Sequence, residues 1–191
     1  VERPIGERLY GLSSQGGSYS TNLFSITSPA VDAVAKTYTI LNKECTTVEV
    51  RIKVNQLFEQ IRNENAPRDQ KKGRKPAPVG YGDIKARSVE YYIYWQPIFD
   101  DRFNLVSSTP AADATPQKWE GPRHEKIIGN VEQVYIRNSK IHLNRSGVTN
   151  QNVTDYTTIP GFGGWRIKII RITPESLTAY LKNQSYVDSL V

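Results

Sequence analysis

Five cations stand close together in this sequence, Arg68, Lys71, Lys72, Arg74 and Lys75, with Asp69 as the one acid among them. Five minus one leaves +4 of the chain's formal +6, so the remainder carries only +2. Charge this concentrated can displace condensed counterions from nucleic-acid phosphates, which makes affinity salt-dependent. It can equally pair with acidic surfaces of neighbouring subunits, or stay solvated. Pro67, Pro76 and Pro78 flank the run and favour an extended arm over a helix.

Beside this insert, Tyr91, Tyr92, Tyr94 and Trp95 could stack on single-stranded bases. The ribonucleoprotein aromatic motif is absent, however, and such residues usually pack strands or line subunit interfaces. With Trp119, the aromatic anchor of a long loop over 108–123, they are read as interface residues. Gly161-Phe162-Gly163-Gly164 lacks a following Lys-Ser/Thr and precedes a strand, so a phosphate loop fails on context, and a tight turn or close backbone approach remains. His124 and His142 are the two imidazoles, with no second histidine at metal-ligand spacing. Arg123-His124-Glu125 could form a local acid–base cluster, although loop charges are usually solvated. Cys45 sits near Lys43 and Glu44 and reads as a packed thiol. Asp100, Asp101, Asp83, Asp113, Glu120 and Glu125 supply carboxylates without a defined pairing. No residue is therefore assigned a catalytic, cofactor-binding or metal-ligating role, and the chain is read as non-enzymatic.

Composition sets the frame for these groups. With 191 residues, 38% hydrophobic and 23% charged, the chain can bury a core without disulfides or metal. A single cysteine excludes an internal disulfide framework and any CxxC site. No run approaches the roughly 18 apolar residues of a bilayer span. The start at Val1-Glu2-Arg3-Pro4 has no targeting character, so a virion or cytoplasmic setting is expected rather than secretion through a signal peptide. The sequons at Asn144, Asn152 and Asn183 are read as incidental.

The elements that must position these residues read as follows. Residues 1–20 form an N-terminal arm, and 21–191 one domain with the basic extended insert at 65–87. Leu23-Phe24-Ser25-Ile26 predicts a strand, after which Ser28-Pro29 caps a helix over 29–42 through Val31, Val34, Ala35, Tyr38 and Leu41. Thr47–Val54 alternates apolar and polar residues as a strand does. Asn55 caps a short helix carrying Leu57, Phe58 and Ile61. Ser88–Trp95 is a strand with aromatic residues on both faces, covered by the protein itself or by a neighbouring subunit, and Pro97 ends it. Residues 134–136 and 141–143 flank 137–140 as a hairpin, with His142 on its polar face. Trp165–Ile172 is a strand with a bulge at Ile169-Ile170. Thr173-Pro174-Glu175 starts a last helix through Leu177, Tyr180, Leu181 and Val187.

This order predicts an α+β fold, a mainly antiparallel or mixed sheet with two or three packed helices and long loops. A β-sandwich or jelly roll is the alternative, because the second half is mostly strands. The expected function is a structural subunit of a larger assembly, such as a phage or virus particle component, whose partners are copies of itself and other subunits. The alternative is a nucleic-acid-binding protein that uses 68–75 as an electrostatic clamp.

Overall fold

In the computed structural model, residues 2–12, 31, 33–60, 84–99, 119–129, 135–143, 146–149, 152–155, 162–175 and 181–191 are described. They form β1 (Arg3–Leu9), β2 (Lys36–Ile40), β3 (Thr47–Val54), β4 (Phe58–Gln60), β5 (Ile84–Phe99) and β6 (Glu120–Gly129). The later strands are β7 (Tyr135–His142), β8 (Ser146–Thr149), β9 (Asn152–Asp155), β10 (Phe162–Arg171), β11 (Leu181–Lys182) and β12 (Ser185–Leu190). One sheet runs β1-β12-β3-β7; a second runs β11-β4-β5-β10-β2, with β6 also paired to β5; β8 and β9 pair apart. Every strand pairing is antiparallel.

The α+β expectation is overturned. No helix stands among the described residues, and the arrangement fits the β-sandwich alternative. The segment predicted as a helix over 29–42 enters β2, where Thr37 and Thr39 face out, Tyr38 faces in, and β10 supplies the hydrogen-bonding partners. Tertiary pairing outweighs a helical spacing made of residues with high strand propensity. The short helix after Asn55 is replaced by β4, paired to β5. In place of the last helix stand β11 and β12. There Ser185 is buried at an inward position beside Val187 and Leu190, and a register irregularity between Val187 and Ser189 breaks the period-2 signal.

The hairpin expected at 134–143 is one continuous strand, β7, laid along β3 from Thr47↔His142 to Val54↔Tyr135. Its polar middle suits a strand because Ser139 faces the core. Pro97 does not end β5: it pairs with Trp165, and the ladder continues to Phe99. The β10 irregularity lies between Phe162 and Gly164, not at Ile169-Ile170. Gly164 has φ 127, and a Cβ there would lie 2.0 Å from the Ile40 carbonyl oxygen, so this is a close backbone approach that only glycine permits. Arg3–Leu9, within the stretch read as an arm, forms β1. The strand expected at 23–26 lies outside the described residues.

Between the sheets, Val48, Val50, Ile52 and Val54 of β3 meet Val89, Tyr91 and Ile93 of β5 and Trp165, Ile167 and Ile169 of β10. A smaller cluster on the far side of the second sheet joins Tyr92, Tyr94 and Ile170 to Leu12 and Val31. The lateral seams are closed by ionic clasps. On one side Glu7 of β1 meets Lys36 at 2.7 Å and accepts a hydrogen bond from Tyr38 Oη at 2.8 Å, both on β2. On the other, Glu125 of β6 accepts from Arg137 of β7 at 3.0 Å and from Arg123 at 2.9 Å. Of these charges Glu125, 3% exposed, points inward, a device that blunts edge strands which would otherwise offer free ladders.

Candidate functional site

Two poles result from the strand directions. At one, β3 ends, β5 begins, β6 and β10 end and β12 begins; at the other, β2 ends and β3 begins. The basic residues Arg68, Lys71, Lys72, Arg74 and Lys75 lie outside the described residues, but their roots are defined. The ladder between β4 and β5 closes at Gln60↔Ile84, so the insert leaves from the first pole. At its root Arg87 forms an ion pair with Glu59, while Lys85, Ala86 and Ile84 are exposed. The stem is thus charge-balanced except for Lys85, so the insert's cations are not offset by acids on the stem.

The aromatic strand is consumed by the fold. Tyr91, with Val89 and Ile93, points into the main core, and its fully buried phenol is pushed up to about 12 by that burial. Trp95 packs against the same core and donates from Nε1 to Glu120 at 3.1 Å. Tyr92 and Tyr94 point the other way and contact each other edge-on with centroids 6.4 Å apart. Both are buried under Leu12 and Val31, with Trp119 packed alongside. Trp119 in turn carries the Lys168 ammonium over its ring at 5.0 Å. Both faces are covered by the protein itself: the rings of Tyr91, Tyr92 and Tyr94 are buried, while Trp95 and Trp119 keep partial exposure.

Alternation along β6 splits the Arg123-His124-Glu125 triplet. His124 faces out, 3.0 Å from Glu90 and edge-on to Tyr92 at 5.1 Å; Glu125 faces in. Burial pushes the Glu90 carboxyl up, but hydrogen bonds from Lys126 and His124 outweigh it and hold the group below the usual range. The same contest governs Glu125, where burial is outweighed by Arg123 and Arg137. Each carboxylate is therefore ionised and occupied, a poor general base.

At the second pole a cavity of about 490 Å³ lies among Arg3, Thr39, Ile40, Cys45, Val48 and Leu190. Cys45 donates from Sγ to the Thr47 carbonyl at 3.4 Å. Among the described residues that line this space none carries a carboxylate side chain or an imidazole. Among the described residues no group of three His, Cys, Asp or Glu could hold a metal. No helix there is long and apolar enough to cross a membrane. Of the sequons, Asn183 is buried and donates from Nδ2 to the Pro174 carbonyl at 3.1 Å, so that site is closed to a glycan.

Arg171 was not singled out by sequence reasoning. It is fully buried, donating from Nε to the Thr173 carbonyl at 2.8 Å, from Nη2 to the Pro174 carbonyl at 3.3 Å and from Nη1 to Ser185 Oγ at 3.0 Å. Burial lowers its pKa, yet three acceptors satisfy the guanidinium and tie the turn after β10 to β12. The signal was present: Arg171 occupies an inward step of a strand otherwise filled by Trp165, Ile167 and Ile169.

No protein-family model matches this chain, and no curated protein matches it either.

Proposed function

We propose that this chain is a non-enzymatic structural subunit of a larger assembly, of the kind that builds a phage or virus particle, with copies of itself and other subunits as partners. One observation carries the reading: among the described residues the nominated aromatic groups and the carboxylates Glu90, Glu120 and Glu125 are committed to contacts within the sandwich itself, Asp83, Asp100, Asp101 and Asp113 lying outside the described residues, while the concentrated charge belongs to an insertion rooted at one pole. A packed sandwich scaffold with a charged insertion suits contact-making. The setting that follows is a virion or the cytoplasm. Light scattering on a sizing column, with absorbance at 260 and 280 nm across the peak, tests it. A defined oligomer free of nucleic acid is the expected result, and a monomer under all conditions would overturn it.

The second reading is nucleic-acid binding through 68–75, favoured by the unbalanced charge of the insert beside exposed Lys85. Replacing Arg68, Lys71, Lys72, Arg74 and Lys75 by glutamine separates the two. Binding through phosphates would lose affinity and flatten the salt slope by up to about five units. On the assembly reading without nucleic acid, neither quantity changes.

A further inference from the structure

β1 is held to the fold mostly by polar contacts. Of Arg3–Leu9 only Leu9 is fully buried, with Ile5 packed partly against the main core. Its ladder to β12 is interrupted between Pro4 and Glu7, where Gly6 has φ 69, and Pro4 brings no N–H. The rest of the attachment is ionic and hydrogen-bonded. Glu2 meets Arg51 at 2.8 Å and Ser189 Oγ at 3.0 Å, Arg3 donates to the Thr39 carbonyl at 3.4 Å, and Arg8 meets Glu175 at 2.8 Å. With the Glu7 pair to Lys36, three ion pairs clasp the strand, and their side chains are between 10% and 52% exposed.

We propose that β1 is an exchangeable strand: the β12 edge of one copy accepts β1 of a second copy, and this exchange links subunits. The inference rests on the assembly reading and names its partner as another copy of this chain. Every group that receives β1 belongs to the rest of the fold, so a neighbour offers an identical edge with identical charge complementarity. The choice between own and neighbouring strand is then set by tether length and local concentration rather than by contact energy. Eighteen residues, 13–30, join β1 and its neighbours to the rest of the chain in sequence, and any backbone of that length spans at most about 65 Å. The unit that docks is 2–12: Leu12 is buried and its N–H donates to the Arg171 carbonyl at 3.2 Å, while a Cβ on Gly11 would lie 2.2 Å from the Thr173 carbonyl oxygen. Without β1, β12 would present an open edge backed by Val187 and Leu190, a template for any strand. The edge must therefore be filled, by one copy or the other.

The test places a disulfide across the ladder. Pro4 and Ser189 are directly opposed, as are Arg8 and Tyr186, and antiparallel spacing suits the bond. Pro4→Cys with Ser189→Cys, in a Cys45→Ser background, is oxidised after equilibration in about 0.05 M and about 1 M salt. Non-reducing gels and light scattering are read on the same samples. Exchange predicts disulfide-linked dimers and longer ladders at both salts, reached sooner in high salt because screening loosens the clasps in either arrangement alike, with a dimer fraction that rises about tenfold for a tenfold rise in protein concentration while dimers are scarce. An oligomer whose crosslinks all lie within single chains would overturn exchange and leave the assembly reading standing. A monomer with crosslinks only within chains would overturn both. Arg8→Cys with Tyr186→Cys reads the other end of the ladder by the same criterion, should the first pair not fold.

Discussion

Glu125→Gln probes the clasp between β6 and β7. The carboxylate is 3% exposed while Arg123 and Arg137 are 55% and 51% exposed, so the acid is desolvated and its partners can rehydrate. Two charge pairs near 4 Å at an effective dielectric constant of about 20 give about 4 kcal/mol each before desolvation. Half-exposed arginines and the cost of burying the acid cut this to under about 1 kcal/mol per pair. Glutamine keeps one acceptor oxygen but turns an amide NH₂ toward a guanidinium, which adds about 1 kcal/mol. The expected loss is about 2 kcal/mol, or about 4–8 °C in Tm for a chain of this size. Urea unfolding followed by tryptophan fluorescence measures it. Because the folded pKa of Glu125 is depressed, its stabilisation is fully present above the unfolded value near 4.3 and is lost as pH falls through the folded one. Wild-type and variant curves should therefore converge in acid. A loss below about 0.5 kcal/mol at neutral pH, or a gap that persists at low pH, would refute the clasp.

Gly164→Ala forces a Cβ against the Ile40 carbonyl and should cost about 3 kcal/mol or more, whereas Gly163→Ala, with 3.7 Å of clearance to the nearest atom, should cost under about 1 kcal/mol; paired melting curves decide. Arg171→Met leaves the Thr173 and Pro174 carbonyls and Ser185 Oγ without their donor and should cost about 2–4 kcal/mol. Hydrogen exchange should then rise first in β12 and the turn after β10, and uniform exchange across the sheets would contradict the assigned role.

How much of this was legible depended on what each strand buries. β3 was readable to the residue because valine and isoleucine fill every inward position and polar groups every outward one. β5 was readable in kind, but its extent was not, since Pro97 lies inside a ladder that β10 supplies from far along the chain. β12 was misread because Ser185 occupies a buried inward position and the register shifts between Val187 and Ser189. β2 and β4 were misread because strands of five and three residues carry too few alternations to compete with a helical spacing. Of the nominated interface residues, the sequence showed that Tyr91, Tyr92, Tyr94 and Trp95, on a strand with aromatic residues on both faces, needed cover. It could not show that Leu12 and Val31, distant in sequence, help provide it for Tyr92 and Tyr94. The clasps were illegible for the same reason, as each joins residues from separate strands.

The pairing of Arg3 with Leu190 brings the two ends of the described chain side by side. A fluorescent protein or affinity tag joined ahead of Glu2 or behind Val191 would emerge at the same pole, away from the roots of the basic insert at Gln60 and Ile84. A short peptide joining those ends would bridge two neighbouring strands of one sheet, β1 and β12.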